Sequence, residues 1–386
     1  MSSATPTRHG QIRSPRHGGL PVGRGPVRWQ HPVLAALVAL VVGTAATGAG
    51  AGIGVRYLQK TGLTATTVIG FALLATGLML LGYAGVVAWR GLHRWWRLVL
   101  VPATLLVLVV AFAVSLSVAA TVVPPTELGS STPADQGLPY REVGFTTGDG
   151  VRLSGWFVPS RNGAAVVVMH GAGSTRTATL AQAGVLGRHG YGLLIVDARG
   201  HGRSGGRGMD FGWYGDPDTT AALGYLVRRP GVDPDRIGVL GLSMGGEEAV
   251  GAAAADPRIR AVVAEGVTAR TAADRDTWLP GGVAGAITRG FDAMTYGFTD
   301  LLTPARPPTT LRTAVGSATG TSFLLVTAGA EPDEKLAAEA LQGAAPERVD
   351  VWTVPDAAHT GGLAAAPVQW RQRVLAFLDQ ALGTRD

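Results

Sequence analysis

The segment Gly241-Leu242-Ser243-Met244-Gly245-Gly246 carries the residue types and spacing of a nucleophilic serine. Residues 237–241 read as a short buried strand, and residues 247–255, Glu-Glu-Ala-Val-Gly-Ala-Ala-Ala-Ala, read as the opening of a helix. A serine on so tight a strand-to-helix turn sits in strained backbone, needs small neighbours, and exposes its hydroxyl above the sheet edge. A chain with 56 glycines in 386 residues can supply this pattern by chance, and a second copy occurs at Gly202-Arg203-Ser204-Gly205-Gly206. No apolar strand leads directly into that copy and no helical pattern follows it. Context therefore keeps Ser243 and sets Ser204 aside.

A serine nucleophile needs a base, an acid to orient the base, and donors for the developing oxyanion. Val354-Pro-Asp-Ala-Ala-His359 follows a strand expected at 349–354, so His359 is the candidate base, its neutral imidazole taking the serine proton and returning it to the leaving group. The acid is expected after the strand at 322–327, in Ala328-Gly-Ala-Glu331-Pro-Asp333-Glu334. Of the three carboxylates there, Asp333 is the first candidate and Glu331 the second; Glu265, ending the preceding strand, is an outsider. The oxyanion donors are assigned to the N–H groups of Met244 and of Ala172, the latter in the glycine turn His170-Gly171-Ala172-Gly173. His170 precedes the nucleophile in the chain and reads as a residue that shapes its loop. The loop Asp197-Ala-Arg199-Gly-His201-Gly-Arg203-Ser204 either contacts substrate or braces its neighbour, with internal hydrogen bonds of Asp197 and Arg199 favoured. His170 and His201 lack the further ligands a metal site requires.

Those residues belong to only part of the chain. Residues 1–126 contain ten Lys or Arg and no Asp or Glu, whereas residues 127–386 contain 23 basic and 27 acidic residues. The sequence pI near 10 thus reports a basic membrane-anchoring part joined to a mildly acidic globular part and carries no signal for a nucleic-acid partner. With no cysteine in the chain, disulfides and thiolate chemistry are excluded. Three uncharged apolar stretches, at about 33–55, 67–89 and 98–123, each approach the roughly 20 residues that cross a bilayer. The first holds two small-residue spacings, Gly48-xxx-Gly52 and Gly50-xxx-Gly54, which are either helix-packing faces or compositional bias. None carries an ionisable residue at mid-depth, which argues against a transporter or channel.

The leader, 1–31, has arginines at 8, 13, 16, 24 and 28 and is expected to be disordered; it is too long and polar for a cleaved signal peptide. Arg90, Arg94 and Arg97 stand between the second and third spans, beside Trp89, Trp95 and Trp96. The positive-inside tendency places leader and second loop in the cytoplasm and the C-terminal domain outside, although Arg56 and Lys60 in the first loop run against it.

After a linker at 125–139, residues 140–386 alternate apolar strands with helical patterns: a hairpin at 141–147 and 151–158, strands at 164–169, 192–196, 237–241, 261–264, 322–327 and 349–354, and helices near 177–189, 216–228, 246–255, 334–342 and 367–382. This order predicts an α/β domain, a mostly parallel sheet with helices on both faces, and places ligands beyond the C-terminal strand ends. An insert at about 267–321 is expected to cap the site. Its Trp278, Phe291, Met294, Tyr296 and Phe298 either line an acyl pocket or pack the cap onto the body.

The segment 142–382 resembles the α/β-hydrolase superfamily, nearest its serine aminopeptidase, acylaminoacyl-peptidase and dienelactone-hydrolase-like branch. The resemblance rests on His170-Gly-Ala-Gly, Asp197-Ala-Arg-Gly-His-Gly-Arg-Ser204, Gly241-Leu-Ser-Met-Gly-Gly-Glu247 and Ala358-His359. It implies serine catalysis on an ester, thioester or amide with no cofactor, and supports Ser243 and His359. Relatives typically place the acid in Gly-x-x-Asp; here Asp333 falls one place late after Gly329. The resemblance does not cover the three spans. The expected protein is an α/β-hydrolase fold behind a three-helix transmembrane segment: a multi-pass membrane serine hydrolase, esterase-type foremost, with a small-molecule or lipid-like acyl substrate. An acyltransferase using the same residues and a non-catalytic hydrolase-like binding module are the alternatives.

Overall fold

The computed structural model describes residues 1–4 and 30–383; of the leader read above as disordered, residues 5–29 lie outside them and residues 30–31 belong to a helix. Helix α1 runs over Gln30–Thr61, α2 over Ala65–Gly91, and a 3₁₀ turn at Arg94–Val99 leads into α3, Leu100–Thr121. All three are long and apolar enough to cross a membrane. α1 is longer than its apolar stretch because its last turns continue through Arg56, Tyr57 and Lys60, which bond beyond the helix. Lys60 Nζ donates to Gly173 O at 2.9 Å, and Arg56 pairs with Asp210 and with Ala119 O. The two basic residues that ran against the charge asymmetry are thus engaged by the folded domain and by α3.

Both small-residue spacings are packing faces, turned to different partners. A Cβ on Gly48 or Gly52 would stand about 2.6 or 2.5 Å from Ala111 O or Ser115 O of α3. A Cβ on Gly50 would stand 2.7 Å from Gly70 O of α2, and one on Gly54 3.2 Å from Phe71 N. Without a hydrophobic drive between helices in lipid, such close backbone approach supplies the van der Waals contact that holds them together.

The remainder builds one eight-stranded sheet. Strands β1 (Arg141–Thr146) and β2 (Arg152–Val158) form the hairpin, with Phe145 opposite Leu153. Then follow β3 (Ala165–Met169), α4 (Leu180–His189), β4 (Gly192–Val196), α5 (Gly215–Leu226), β5 (Ile237–Leu242), α6 (Met244–Ala255) and β6 (Ile259–Glu265). The insert contributes α7 (Ala272–Asp276), α8 (Gly282–Leu302) and α9 (Leu311–Ser317). After it come β7 (Ser322–Ala328), α10 (Pro332–Gln342), β8 (Val349–Val354), α11 (Gly362–Ala365) and α12 (Pro367–Leu382). The order across the sheet is β1-β2-β4-β3-β5-β6-β7-β8; β2 is antiparallel to both its neighbours and the rest is parallel.

The continuous apolar runs of β3, β4 and β5 are buried throughout because helices cover both faces. Alternate residues point to opposite sides. Val167, Leu194 and Val239 meet Leu223 of α5 and Val250 of α6, while Val166, Ile195 and Leu240 meet Leu186 of α4 and Trp370 and Leu378 of α12. The parallel strands deliver their C-terminal ends, with Met169, Val196, Leu242, Glu265, Ala328 and Val354, to one edge, and every candidate residue follows one of them.

Candidate functional site

Ser243 follows β5 directly and precedes the first residue of α6. Its backbone stands at φ 52°, ψ −121°, a left-handed conformation that a residue with a Cβ adopts only when its surroundings enforce it. Ser243 N donates to Glu265 O at 2.7 Å, and its carbonyl accepts from Gly246 N and Glu247 N at 2.8 and 3.0 Å, so sheet and helix hold the turn from both sides. Gly241 and Gly245 pass in direct backbone contact beneath it.

His359, in the loop after β8, brings Nε2 to 2.8 Å from Ser243 Oγ. Gly266, at φ 78°, leaves room for the ring: a Cβ there would stand 2.8 Å from His359 Cε1. The other ring nitrogen, Nδ1, lies 2.6 Å from Glu334 Oε1, and Glu334 Oε2 accepts from Ala328 N at 2.8 Å. Glu334 is buried, and its hydrogen bond raises the His359 pKa above the ordinary histidine value, against the partial desolvation of the ring.

The carboxylate on His359 is therefore Glu334, and neither of the two favoured in the sequence, Asp333 and Glu331, occupies that position. α10 starts at Pro332, so Glu331 is its N-cap residue, Asp333 lies on the solvent side of the first turn, and Glu334 lies on the buried face with Ala337, Ala338 and Leu341. The signal was present: Glu334 stands three, four and seven residues before those apolar positions, the spacing of one helix face. Glu265, the outsider, is committed elsewhere, accepting from Gly362 N at 2.6 Å and Trp370 Nε1 at 3.1 Å.

The glycine turn after β3 lies over Ser243. A Cβ on Gly171 would stand 3.1 Å from Ser243 Cβ, and Ala172 follows it. Met244 opens α6, where the first N–H groups have no partner within the helix and the helix dipole favours negative charge. His170 holds this turn. Ala198 N donates to its Nε2 at 2.9 Å, which fixes the proton on Nδ1 and directs it to Gly171 O at 2.8 Å. Burial, with His201 beside it, lowers the His170 pKa to about 3, so the ring is neutral and serves the loop.

The remaining candidates brace the site. Ser204 Oγ donates to Asp197 O at 2.6 Å and accepts from Ser154 N at 2.9 Å. Asp197 accepts from Arg176 N and Arg203 N, both at 2.9 Å, and Arg199 grips Asp149 and Asp218. Asp210, next to that loop, is held by Arg56 of α1, and its Oδ1 lies 3.5 Å from His201 Nε2, whose ring packs edge-on against His170 at 5.2 Å. The last turns of α1 thus reach the loops after β3 and β4 from two directions, through Lys60 and through Arg56. Arg56→Ala is expected to destabilise the detergent-solubilised chain by about 1–3 kcal/mol, for a buried group left unpaired, read as a lower thermal unfolding midpoint. Asp210→Asn in the same chain should recover most of that loss.

Two further carboxyls of α6 lie behind the serine. Glu247 accepts from Thr268 N and Ala269 N at 3.0 and 2.9 Å, and burial pushes its pKa up to about 7. Glu248 is raised well above the usual range by burial and by the neighbouring Asp218. A carboxyl with a raised folded-state pKa holds a proton that the unfolded chain has released, so stability falls as pH rises from its ordinary value through its folded value. Glu248→Gln is expected to raise the unfolding midpoint at pH 8 and to leave it unchanged near pH 4, read by thermal denaturation at both values.

The sheet order, the positive-φ serine after β5 and the histidine after β8 define the α/β-hydrolase fold. Residues 160–283 match the family model described as serine aminopeptidase, S33. An esterase of Pyrococcus furiosus is similar in structure, with a TM-score of 0.55 and 26% identity over 68% of this chain and 98% of that one. In sequence, the thiohydrolase aneE of Aspergillus aculeatus is 34% identical over 32% of this chain and 40% of its own length. The polyketide transferase ATR5 of Stachybotrys chlorohalonatus is 36% identical over 32% and 43%. The chain spans about two fifths to half the length of the curated relatives it matches. These likenesses support its place in the α/β-hydrolase superfamily.

Proposed function

We propose that this chain is a membrane-anchored serine hydrolase, esterase-type, that cleaves an ester or thioester through an acyl-enzyme. The observation that carries the reading is the relay from a buried carboxylate, Glu334, through His359 to a strained, half-exposed Ser243, with separations of 2.6 and 2.8 Å. Ser243 Oγ attacks the acyl carbon while His359 Nε2 takes its proton; Glu334 holds Nδ1–H and stabilises the imidazolium. The N–H groups of Met244 and Ala172 receive the oxyanion, each worth about 10²–10³ in rate. His359 returns the proton to the departing alcohol or thiol. Water, deprotonated by the same ring, then releases the acid and restores the serine. The names of the thiohydrolase and esterase relatives favour ester and thioester over amide.

A second reading, acyl transfer to an alcohol in place of water, is favoured by the likeness to a polyketide transferase and needs no change of residues. The location on this reading follows from treating the three helices as spans: an odd number of crossings would leave the leader and the hydrolase domain on opposite sides, and the basic leader and the Arg90–Arg97 loop favour the cytoplasm for the leader, with Arg56 and Lys60, the contrary charges, engaged by the folded domain. The domain is extracytoplasmic on this reading.

Labelling of membranes with a fluorophosphonate tests the proposal. Wild-type chain and Ser204→Ala should label and Ser243→Ala should not; folded wild type that takes up no label would support a hydrolase-like binding module.

A further inference from the structure

We propose that the groove between α3 and α8 binds the acyl chain of a membrane lipid ester, with α8 lying beside α3 within the near leaflet of the bilayer. The inference rests on the hydrolase and membrane readings above and names their substrate class.

The two helices run in parallel register. Ser117 Oγ donates to Thr295 O at 2.7 Å, Phe112 stacks on Phe291 with ring centroids 5.6 Å apart, and Val109 and Ile287 share the next level down. The first charge of α1, Arg56, bonds to Ala119 O, so the apolar part of α3 begins near that level. Val109 lies ten residues further in, about 15 Å at 1.5 Å per residue, which is half of a hydrocarbon core about 30 Å thick. The groove, lined over 109–112 of α3 and 287–294 of α8, therefore lies in the inner part of that leaflet. Its volume is about 540 Å³, and its walls are apolar apart from Thr288, whose hydroxyl donates to Ala284 O at 3.1 Å: Val109 and Phe112 on one side, Ile287, Phe291 and Met294 on the other, with Gly290 in the wall.

The outer face of α8 fits lipid and does not fit water. Val283, Ile287, Gly290, Met294, Gly297 and Leu301 recur every three or four residues with no charge among them, and Val283, Ile287 and Leu301 are 79%, 68% and 81% exposed. The charged residues of its middle turns are paired with the rest of the insert: Asp292 with Arg275 at 2.7 Å, and Arg289 with Asp276.

A series of packed contacts connects α8 to Ser243. Tyr296, one turn from Asp292 on α8, packs against Phe211 with centroids 5.0 Å apart; Gly212 lies against Met244; and Met244 adjoins Ser243. On this proposal the ester of a chain seated between α3 and α8 lies toward the end of α8 that carries these contacts.

Gly290 provides the test, because a side chain there meets no atom within 4 Å and extends into open space. Full-length Ser243→Ala chain in nanodiscs of a phosphatidylcholine carrying an acyl-chain diazirine, irradiated and digested, should yield label on the peptide spanning residues 287–294, reduced at least tenfold by Gly290→Phe. This readout does not depend on catalysis. Label confined to the outward faces of α1 and α2 would overturn the proposal even if the chain is a hydrolase. In the active chain, Gly290→Phe should lower the ratio of kcat/KM for a palmitoyl over a butyryl 4-methylumbelliferyl ester at least tenfold. An unmoved ratio would count against the groove alone. Labelled lipid in a chain that hydrolyses neither ester would support the groove and overturn the hydrolase reading.

Discussion

Replacing Ser243 by alanine is expected to lower turnover of an acyl ester by about six orders of magnitude, the scale seen when a member of a serine–histidine unit is removed. The size follows from how the relay is built. Ser243 Oγ stands 2.8 Å from His359 Nε2, and Glu334 makes that nitrogen the acceptor by engaging Nδ1. Without the hydroxyl, the imidazole has no nucleophile to activate, and what is left is the binding and oxyanion stabilisation of the site, about 10³–10⁴ over water. The double variant Ser243→Ala/His359→Ala should consequently be no slower than Ser243→Ala alone. Ser204→Ala is the control of the same chemical type. Its hydroxyl bridges Asp197 O and Ser154 N, so its loss should appear in the unfolding midpoint, at about 1 kcal/mol, and not in turnover. Steady-state rates on a soluble short-chain ester, with fluorophosphonate titration of active sites, decide it. A Ser243→Ala chain that retains turnover above about 10⁻⁴ of wild type would mean that another nucleophile acts.

The parts of the fold that periodicity governs were legible. Residues 192–196 are an apolar run and 349–354 interleave valines with Asp350, Trp352 and Thr353; they are β4 and β8 without a shift. The elbow was legible too, since glycines on both sides of a serine between a strand and a helix have few other uses. The position after β7 narrows the acid to three carboxylates without choosing among them, and the helix itself decides: Pro332 sets the start of α10, and the buried face then brings Glu334, not Asp333, to His359. The two glycine spacings of α1 could not be separated from compositional bias in the sequence, because what distinguishes them is the partner each face meets, α3 for Gly48 and Gly52, α2 for Gly50 and Gly54. The same holds for the insert. Its aromatic residues read either as pocket lining or as packing, and which partner each meets comes only from the fold: Tyr296 packs on Phe211 and Phe291 stacks on Phe112 of α3. Periodicity gives a helix its face and leaves the facing partner to tertiary structure.

Glu334→Gln is expected to lower kcat by about 10⁴, the effect of fixing the wrong histidine tautomer. The structure sets the direction of the new amide. Ala328 N–H already donates to one oxygen of Glu334, so the carbonyl of the introduced glutamine must take that place, which turns its NH₂ group toward His359 Nδ1. Nδ1 then accepts, the ring proton moves to Nε2, and Nε2 can no longer receive the proton of Ser243. Glu334→Ala, which leaves the ring free to exchange tautomers, should be less damaging than the near-isosteric amide. The pH profile provides the independent readout. Glu334 raises the His359 pKa, and the catalytic form of the ring is the neutral one, so wild-type kcat/KM should rise through an apparent pKa above the ordinary histidine value. Loss of the carboxylate removes the stabilisation of the imidazolium, and the residual activity of either variant should rise at a lower pH. Asp333→Asn and Glu331→Gln, on solvent-exposed positions of the same turn, should keep the wild-type rate within about twofold, as surface changes away from the reacting atoms do. If Asp333→Asn were the damaging substitution, α10 would have to be rotated by about 100° from the face it buries here.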